Sequence, residues 1–273
     1  MKPLGRLLKS ILSARNTTNL TAPSHVISAR SKGFVRVDSV GDLFIRHEHL
    51  ADRNYSNPRF HSFSALGCTF ERCGFGNLDL RNAVLASGRE QTTYIECSFD
   101  GTKFRHIILG QARFERCSFR NVDIREMFAH AAEFVDCTFS GVMRGSVFFG
   151  RVAGGHRDYL TREINEIRAN DFSTMRFIDV GFREGVDLSA QRLPVGDNYL
   201  YLEDAARSLG ALRQKYLPLP QSRQREAIFK FLKIPEEEVR NGQTSLFLCR
   251  DSEPFLSANE LDAIWDELRS TNE

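Results

Sequence analysis

Apolar positions in this chain recur every five residues. Large apolar side chains fall at Phe60, Phe70, Phe75, Leu80 and Leu85, with Ala65 filling the remaining place. After a one-residue slip they resume at Tyr94, Phe99, Phe104, Leu109, Phe114, Phe119, Ile124, Ala129, Phe134, Phe139, Arg144 and Phe149, of which only Ala129 and Arg144 are not large and apolar. A third stretch carries Phe172, Phe177 and Phe182, then Leu188 and Leu193 after a further slip. Two residues before each of these lies a smaller one, as at Cys68, Cys73, Ala83, Cys97, Thr102, Ala112, Cys117, Val122, Ala132, Cys137, Val142 and Val147. A period of five matches neither the 3.6 of a helix nor the 2 of a long strand. It predicts a short extended piece whose residues i−2 and i both point inward, followed by a tight corner. Such a unit cannot bury its own face, so copies must stack on one another as a solenoid.

The segments Cys73-Gly-Phe75, Ala112-Arg-Phe114, Val122-Asp-Ile124 and Ala132-Glu-Phe134 carry a small residue, a polar one and then a large apolar one. In these the chain resembles the pentapeptide-repeat family, over roughly residues 58–193 with interruptions at 86–93 and 150–169. The resemblance implies a mainly β fold, a right-handed, four-sided β-helix with four pentapeptides per coil. Four units per coil predict stacking every twenty residues. Cys97, Cys117 and Cys137 then share one ladder, Phe99, Phe119 and Phe139 a second, and Tyr94, Phe114 and Phe134 a third, with steps near ~4.8 Å. Stacked rings add ~0.5–1.5 kcal/mol per pair beyond burial. Arg144 fits an interior place poorly and predicts a coil edge, bulge or register slip between Gly141 and Gly150.

The flanks read differently. Leu4, Leu7, Leu8, Ile11 and Leu12 form an amphipathic helical stripe with Lys2, Arg6, Lys9 and Arg15 elsewhere. It suits a cap on the open end of the solenoid or partner docking better than a membrane-surface helix or transit peptide. After Leu193-Pro194 the period stops, and helices are expected over Tyr199–Tyr216, Ser222–Leu232 and from a Ser257-x-x-Glu260 capping box onward. Leu261, Ile264, Trp265 and Leu268 share one face of that last helix, either against the chain itself or as a homodimer contact. Gly154-Gly-His-Arg-Asp158 reads as a turn into a helix from Thr161 to about Ala169. The organisation is thus a basic N-terminal segment, 1–40, a β-helix, 41–195, with a helical insertion at about 156–169, and a helical C-terminal region, 196–273.

Composition sharpens this picture in one respect. The chain of 273 residues holds 22 Phe against 1 Trp, and thirteen of those Phe lie on the period-five columns. The aromatic content is therefore committed to a core. Net charge is +2, which selects neither a nucleic-acid partner nor its mimic. Between Cys68 and Gly150 ten acids face ten bases. Five of six cysteines sit on the i−2 column, where a free thiol behaves as a small hydrophobe, and no Cys-x-x-Cys pair occurs. A reduced, cytosolic protein follows. His47-Glu-His49 has no third candidate ligand, and His156-Arg157-Asp158 lacks the other parts of a kinase site. No catalytic, cofactor or metal site is expected. The expected role is a non-enzymatic scaffold that binds another protein through its faces or helical ends. The resemblance also implies a rival, the protection of DNA gyrase by DNA mimicry, which the balanced charge disfavours. A membrane-associated module acting through the basic N-terminal helix is a second rival.

Overall fold

The period-five columns close into a coil whose interior they fill. The computed structural model describes residues 35–36, 41–56, 60–252 and 256–272, so the N-terminal stripe Leu4–Leu12 lies outside the described residues. Parallel strands stack into a solenoid. On one side its six rungs are His49–Ala51, Thr69–Glu71, Thr92–Ile95, Ala112–Glu115, Glu133–Val135 and Ile167–Arg168. We number the sides by the inward residues of one coil: Phe114 for the first, Phe119 for the second, Ile124 for the third and Ala129 for the fourth. The rings stack as the twenty-residue period requires. Tyr55, Phe75, Phe99, Phe119 and Phe139 follow one another at 4.8, 4.9, 4.9 and 4.7 Å between centroids, nearly coplanar in orientation. Phe70, Tyr94, Phe114 and Phe134 do the same at 4.9 Å per step. Edge-to-face contacts such as Phe114 to Phe119, at 5.5 Å, join the two ladders. Each ring thus meets partners in both geometries that its quadrupole favours.

Departures from twenty residues have local causes. Phe70 lies beside Tyr94 and Leu80 beside Phe104, so this coil has four extra residues in the 86–93 interruption. The slip around Arg144 falls at Gly141, which stands opposite Val122 and brings Met143 opposite Ile124. A Cβ at Gly141 would lie 2.2 Å from the Val122 carbonyl oxygen, so only glycine allows the corner to tighten by one residue. Met143 and Phe148 then become the interior residues, and Arg144 and Phe149 turn outward. This corrects the expected placing of Phe149, and of Val142 and Val147, by one position.

The i−2 column does more than fill space. Cys97, Cys117 and Cys137 each place a thiol 3.3–3.5 Å from the carbonyl oxygen of Phe70, Tyr94 and Phe114 in the preceding coil. Thr102 plays the same part more strongly, donating to the Phe75 carbonyl at 2.6 Å and accepting the Leu78 N–H at 3.2 Å. Corner backbone groups have no ladder partner of their own, so a small polar side chain in the next coil satisfies them. Asn170 repeats the device, accepting the Cys137 N–H at 3.0 Å and donating to the Phe134 carbonyl at 2.9 Å.

The expected helix from Thr161 to Ala169 is absent. A short 3-10 turn, Gly154–Asp158, is followed by extended chain, and Ile167–Arg168 pairs in parallel with Phe134–Val135. Asn165 and Asn170 occupy i−2 places, so the coil resumes earlier than a search for small apolar residues indicates. The buried Asn165 amide lies 2.9–3.1 Å from the carbonyl oxygens of His130, Phe149 and Arg151 and pins the insertion across two coils.

The C-terminal region begins with a strand where a helix was expected. Tyr199–Leu202 pairs antiparallel with Leu246–Cys249, because alternation gives both faces something to bury. Tyr199, Tyr201, Phe247 and Cys249 pack on the solenoid core, while Leu200, Leu202, Leu246 and Leu248 pack on the helices. Helix α1 is Ala205–Tyr216, capped by the Asp204 carboxylate on the Arg207 N–H. Helix α2, Arg223–Arg240, runs eight residues beyond the expected end at Leu232, accommodating the buried Pro235. Helix α3, Ala258–Asn272, opens with the Ser257–Glu260 capping box, the Ser257 N–H donating to the Glu260 carboxylate at 2.8 Å. Gln243 joins this region to the last coil: its buried amide accepts the Gly185 and Val186 N–H groups at 3.0 Å and donates to the Val186 carbonyl at 2.8 Å. No helix among the described residues is long and apolar enough to cross a membrane.

Candidate interaction faces

The residues singled out from the sequence are placed inside. Tyr94, Phe114, Phe134, Phe99, Phe119, Phe139, Cys97, Cys117 and Cys137 all lie in the solenoid core. They set its shape and are almost wholly shielded from solvent. Leu261, Ile264, Trp265 and Leu268 are buried against α1 and α2 among Leu209, Leu212, Ile228 and Phe231. That stripe packs within one chain, as the first of its two expected roles requires. All six cysteines are free and buried, and burial pushes the Cys249 thiol up to about 12. His47 pairs with Glu90 at 2.9 Å and His49 with Glu71 at 3.0 Å, so the two imidazoles serve separate partners. Among the described residues no cluster of three or more His, Cys, Asp or Glu is placed to hold a metal ion.

What remains for recognition is the outward surface, and it is sorted by chemistry. The first side is ion-paired. Arg113 reaches Glu115, Glu133 and Glu166 at 2.5, 3.2 and 2.7 Å, and Arg168 reaches Glu166 at 2.5 Å. Those bonds from Arg168 and Arg113 hold the Glu166 carboxyl below its usual range. The second side is hydroxylic, with Ser98, Ser118 and Thr138 in register and Asp100 accepting from the Ser118 hydroxyl at 2.6 Å.

The third side is basic. Arg81, Arg105, Arg125 and Arg144 stand in register on four successive strands. Beside them Lys103 lies between Asp79 and Asp123. Arg125 binds Asp123 at 2.8 Å, Arg105 lies 3.9 Å from the same carboxylate and Arg81 binds Asp79 at 3.2 Å, while the Nε atoms of Arg105 and Arg144 are buried without an acceptor. The Arg125 bond also holds the Asp123 carboxyl below its ordinary value. Like charges directly opposite across a strand pair are destabilising, so four in register are costly unless something offsets them.

The fourth side is uncharged over its middle coils. Phe44, Ser64 and Val84 follow one another in register, Val84 bridges to Ile108, and Phe128 pairs with Val147. Phe44 and Ile108 are each 50% exposed and Phe128 39%. His130 stacks on Phe149 at 4.7 Å beside this row, and burial together with nearby His156 lowers its pKa.

Residues 97–128 match the family model described as "Pentapeptide repeats (8 copies)", and that stretch runs through the most regular coils. The chain carries a pentapeptide-repeat solenoid. No curated protein matches the chain. Solved structures of QnrB1, a plasmid-mediated fluoroquinolone resistance protein, align with this pentapeptide-repeat chain. A trypsin-treated form shares 14% identity over 57% of this chain and 79% of that one, with a TM-score of 0.34. The full-length form shares 10% over 58% and 91%, with a TM-score of 0.21.

Sequence reasoning missed the sorting of charge. Counting acids against bases cancels the two kinds of side. The signal was nevertheless there, because Arg81, Arg105 and Arg125 each follow an inward residue of the same side in successive coils.

Proposed function

We propose that this pentapeptide-repeat chain is a non-enzymatic scaffold that binds a protein partner through the sides of its solenoid. One observation carries the reading: an outward apolar row of Val84, Ile108 and Phe128 on successive coils, with Phe44 beyond Ser64 and under the Arg46 guanidinium at 4.3 Å. Contiguous exposed apolar surface on a stable fold marks an interaction site. The aromatic ladders supply rigidity, so the row is presented without ordering cost on binding. Six buried free thiols suit a reducing compartment such as the cytosol.

DNA mimicry gains no support from the outward charges. A phosphate-like surface needs rows of uncompensated acid, whereas Glu115, Glu133 and Glu166 share Arg113. In a supercoiling assay the purified protein is expected neither to inhibit gyrase nor to protect it from a quinolone.

The test of the scaffold reading compares tagged wild-type protein with the Ile108→Asp/Phe128→Asp variant in affinity capture from the native cell. Both positions face outward, so the variant keeps its melting temperature. Loss of a reproducible wild-type partner supports the reading; equal capture by both proteins refutes it.

A further inference from the structure

We infer that the third side of the solenoid is a docking surface for an acidic α-helical segment of a partner protein, with Arg81, Arg105, Arg125 and Arg144 as its recognition column. The inference rests on the scaffold reading and adds a surface and a partner chemistry to it. Four guanidinium groups stand opposite one another on adjacent parallel strands, and Lys103 adds a fifth positive charge. Asp79 and Asp123 share that patch, Asp123 also lying 3.9 Å from an Arg105 Nη, and Glu126 pairs with His106 at its edge, while the Nε atoms of Arg105 and Arg144 have no acceptor. An arrangement that stacks like charge and leaves buried donors unmade is destabilising by itself. A carboxylate-bearing ligand would offset the stacked like charge, since an arginine fork takes a carboxylate in a bidentate fashion.

Spacing identifies the form of the ligand. Rungs of ~4.8 Å put the outer arginines about 14 Å apart. Acids on one helix face at i, i+3, i+7 and i+10 advance by ~1.5 Å per residue and cover about 15 Å in the same number of steps. An extended peptide presents a side chain to the same face every ~6.6 Å and falls out of register by one rung after about three steps. Charge pattern identifies the class of ligand. A phosphodiester backbone carries negative charge at every step and would meet the Asp79 and Asp123 carboxylates. A polypeptide can place acids against the arginine column and neutral or basic residues against the two aspartates, which is how complementary interfaces gain specificity.

Fluorescence anisotropy with the full chain tests this. The probe is a labelled synthetic helical peptide with Glu at i, i+3, i+7 and i+10 of one face. A peptide of the same composition with those Glu redistributed, and a labelled duplex DNA of about two helical turns, are the comparisons, all at an ionic strength of about 0.15 M. Wild type is expected to bind the patterned helix at least about tenfold more tightly than the Arg105→Gln/Arg144→Gln variant does. It should also prefer that helix to the redistributed peptide and to DNA. An Arg120→Gln variant on the second side should bind as wild type does. No binding of the patterned helix, equal binding by the double variant, or equal or tighter binding of the redistributed peptide or DNA would each overturn the inference. If the double variant also retains the cellular partner that Ile108→Asp/Phe128→Asp loses, the scaffold reading stands while the arginine column is excluded.

Discussion

Asn170 offers the sharpest test of how the coils are joined. Its fully buried side chain accepts the Cys137 N–H at 3.0 Å, donates to the Phe134 carbonyl at 2.9 Å and donates to Gln191 Oε1 at 3.0 Å. Replacing it with alanine strands two buried backbone groups of the preceding coil. Each costs about 1–3 kcal/mol when left unsatisfied, so Asn170→Ala should lose about 2–6 kcal/mol. Asn170→Thr should lose much less. Thr102 makes the equivalent pair of bonds to Leu78 and Phe75, which shows that a hydroxyl at this column reaches both groups. Only the Gln191 bond is then forfeited, about 1 kcal/mol. Urea unfolding followed by far-ultraviolet circular dichroism, with a common m-value, measures both variants. If alanine and threonine lower the midpoint equally, the corner-satisfaction argument is wrong and Asn170 matters only for its volume.

Three further outcomes follow from single observations. Ala169 holds a left-handed φ of 56° without the side-chain bonds that let Asn or Asp tolerate it. Ala169→Gly should therefore raise the melting temperature by about 1–4 °C, the left-handed penalty exceeding the extra flexibility of glycine in the unfolded chain. His130 is held below its ordinary 6.5 by burial, so the unfolded state takes up the proton first and the stability it supports is lost as pH falls below 6.5. His130→Phe keeps the stack on Phe149 and should reduce the slope of melting temperature against pH below 6.5, leaving the part due to the similarly depressed His156; an unchanged slope would exclude His130 as a source. Gln243→Ala removes the clamp between the last coil and the C-terminal region. It should speed limited proteolysis of residues 243–252 several-fold while leaving the solenoid fragment resistant, an effect absent if the packing of Phe247 on Phe177 alone holds the cap.

The difference between what was legible and what was not has a physical basis. Residues inside the coil obey a one-dimensional rule, because each interior place is defined by its neighbours twenty residues away. Tyr94, Phe99, Cys117 and Phe139 could therefore be assigned from the linear chain. Even the slip near Arg144 was visible as a charged residue on an apolar column, although its cause at Gly141 needed the approach of the Val122 carbonyl. The interruptions were harder. At Asn165 and Asn170 the column holds polar residues whose fitness depends on backbone groups of another coil, so the linear pattern suggested a helix. At Tyr199–Leu202 alternation and helical periodicity overlap over four residues, and only pairing with Leu246–Cys249 decides between them.

The sequence by itself determined the β-helix, the three ladders and the helical character of the C-terminal region, since burial imposes a repeating constraint that short-range spacing records. The tertiary structure decided which outward residues share a side wherever the coils depart from twenty residues. Those residues carry no apolar period, and their association depends on coil lengths of 24, 20 and 19 residues, which convert scattered positions into an arginine column and an apolar row.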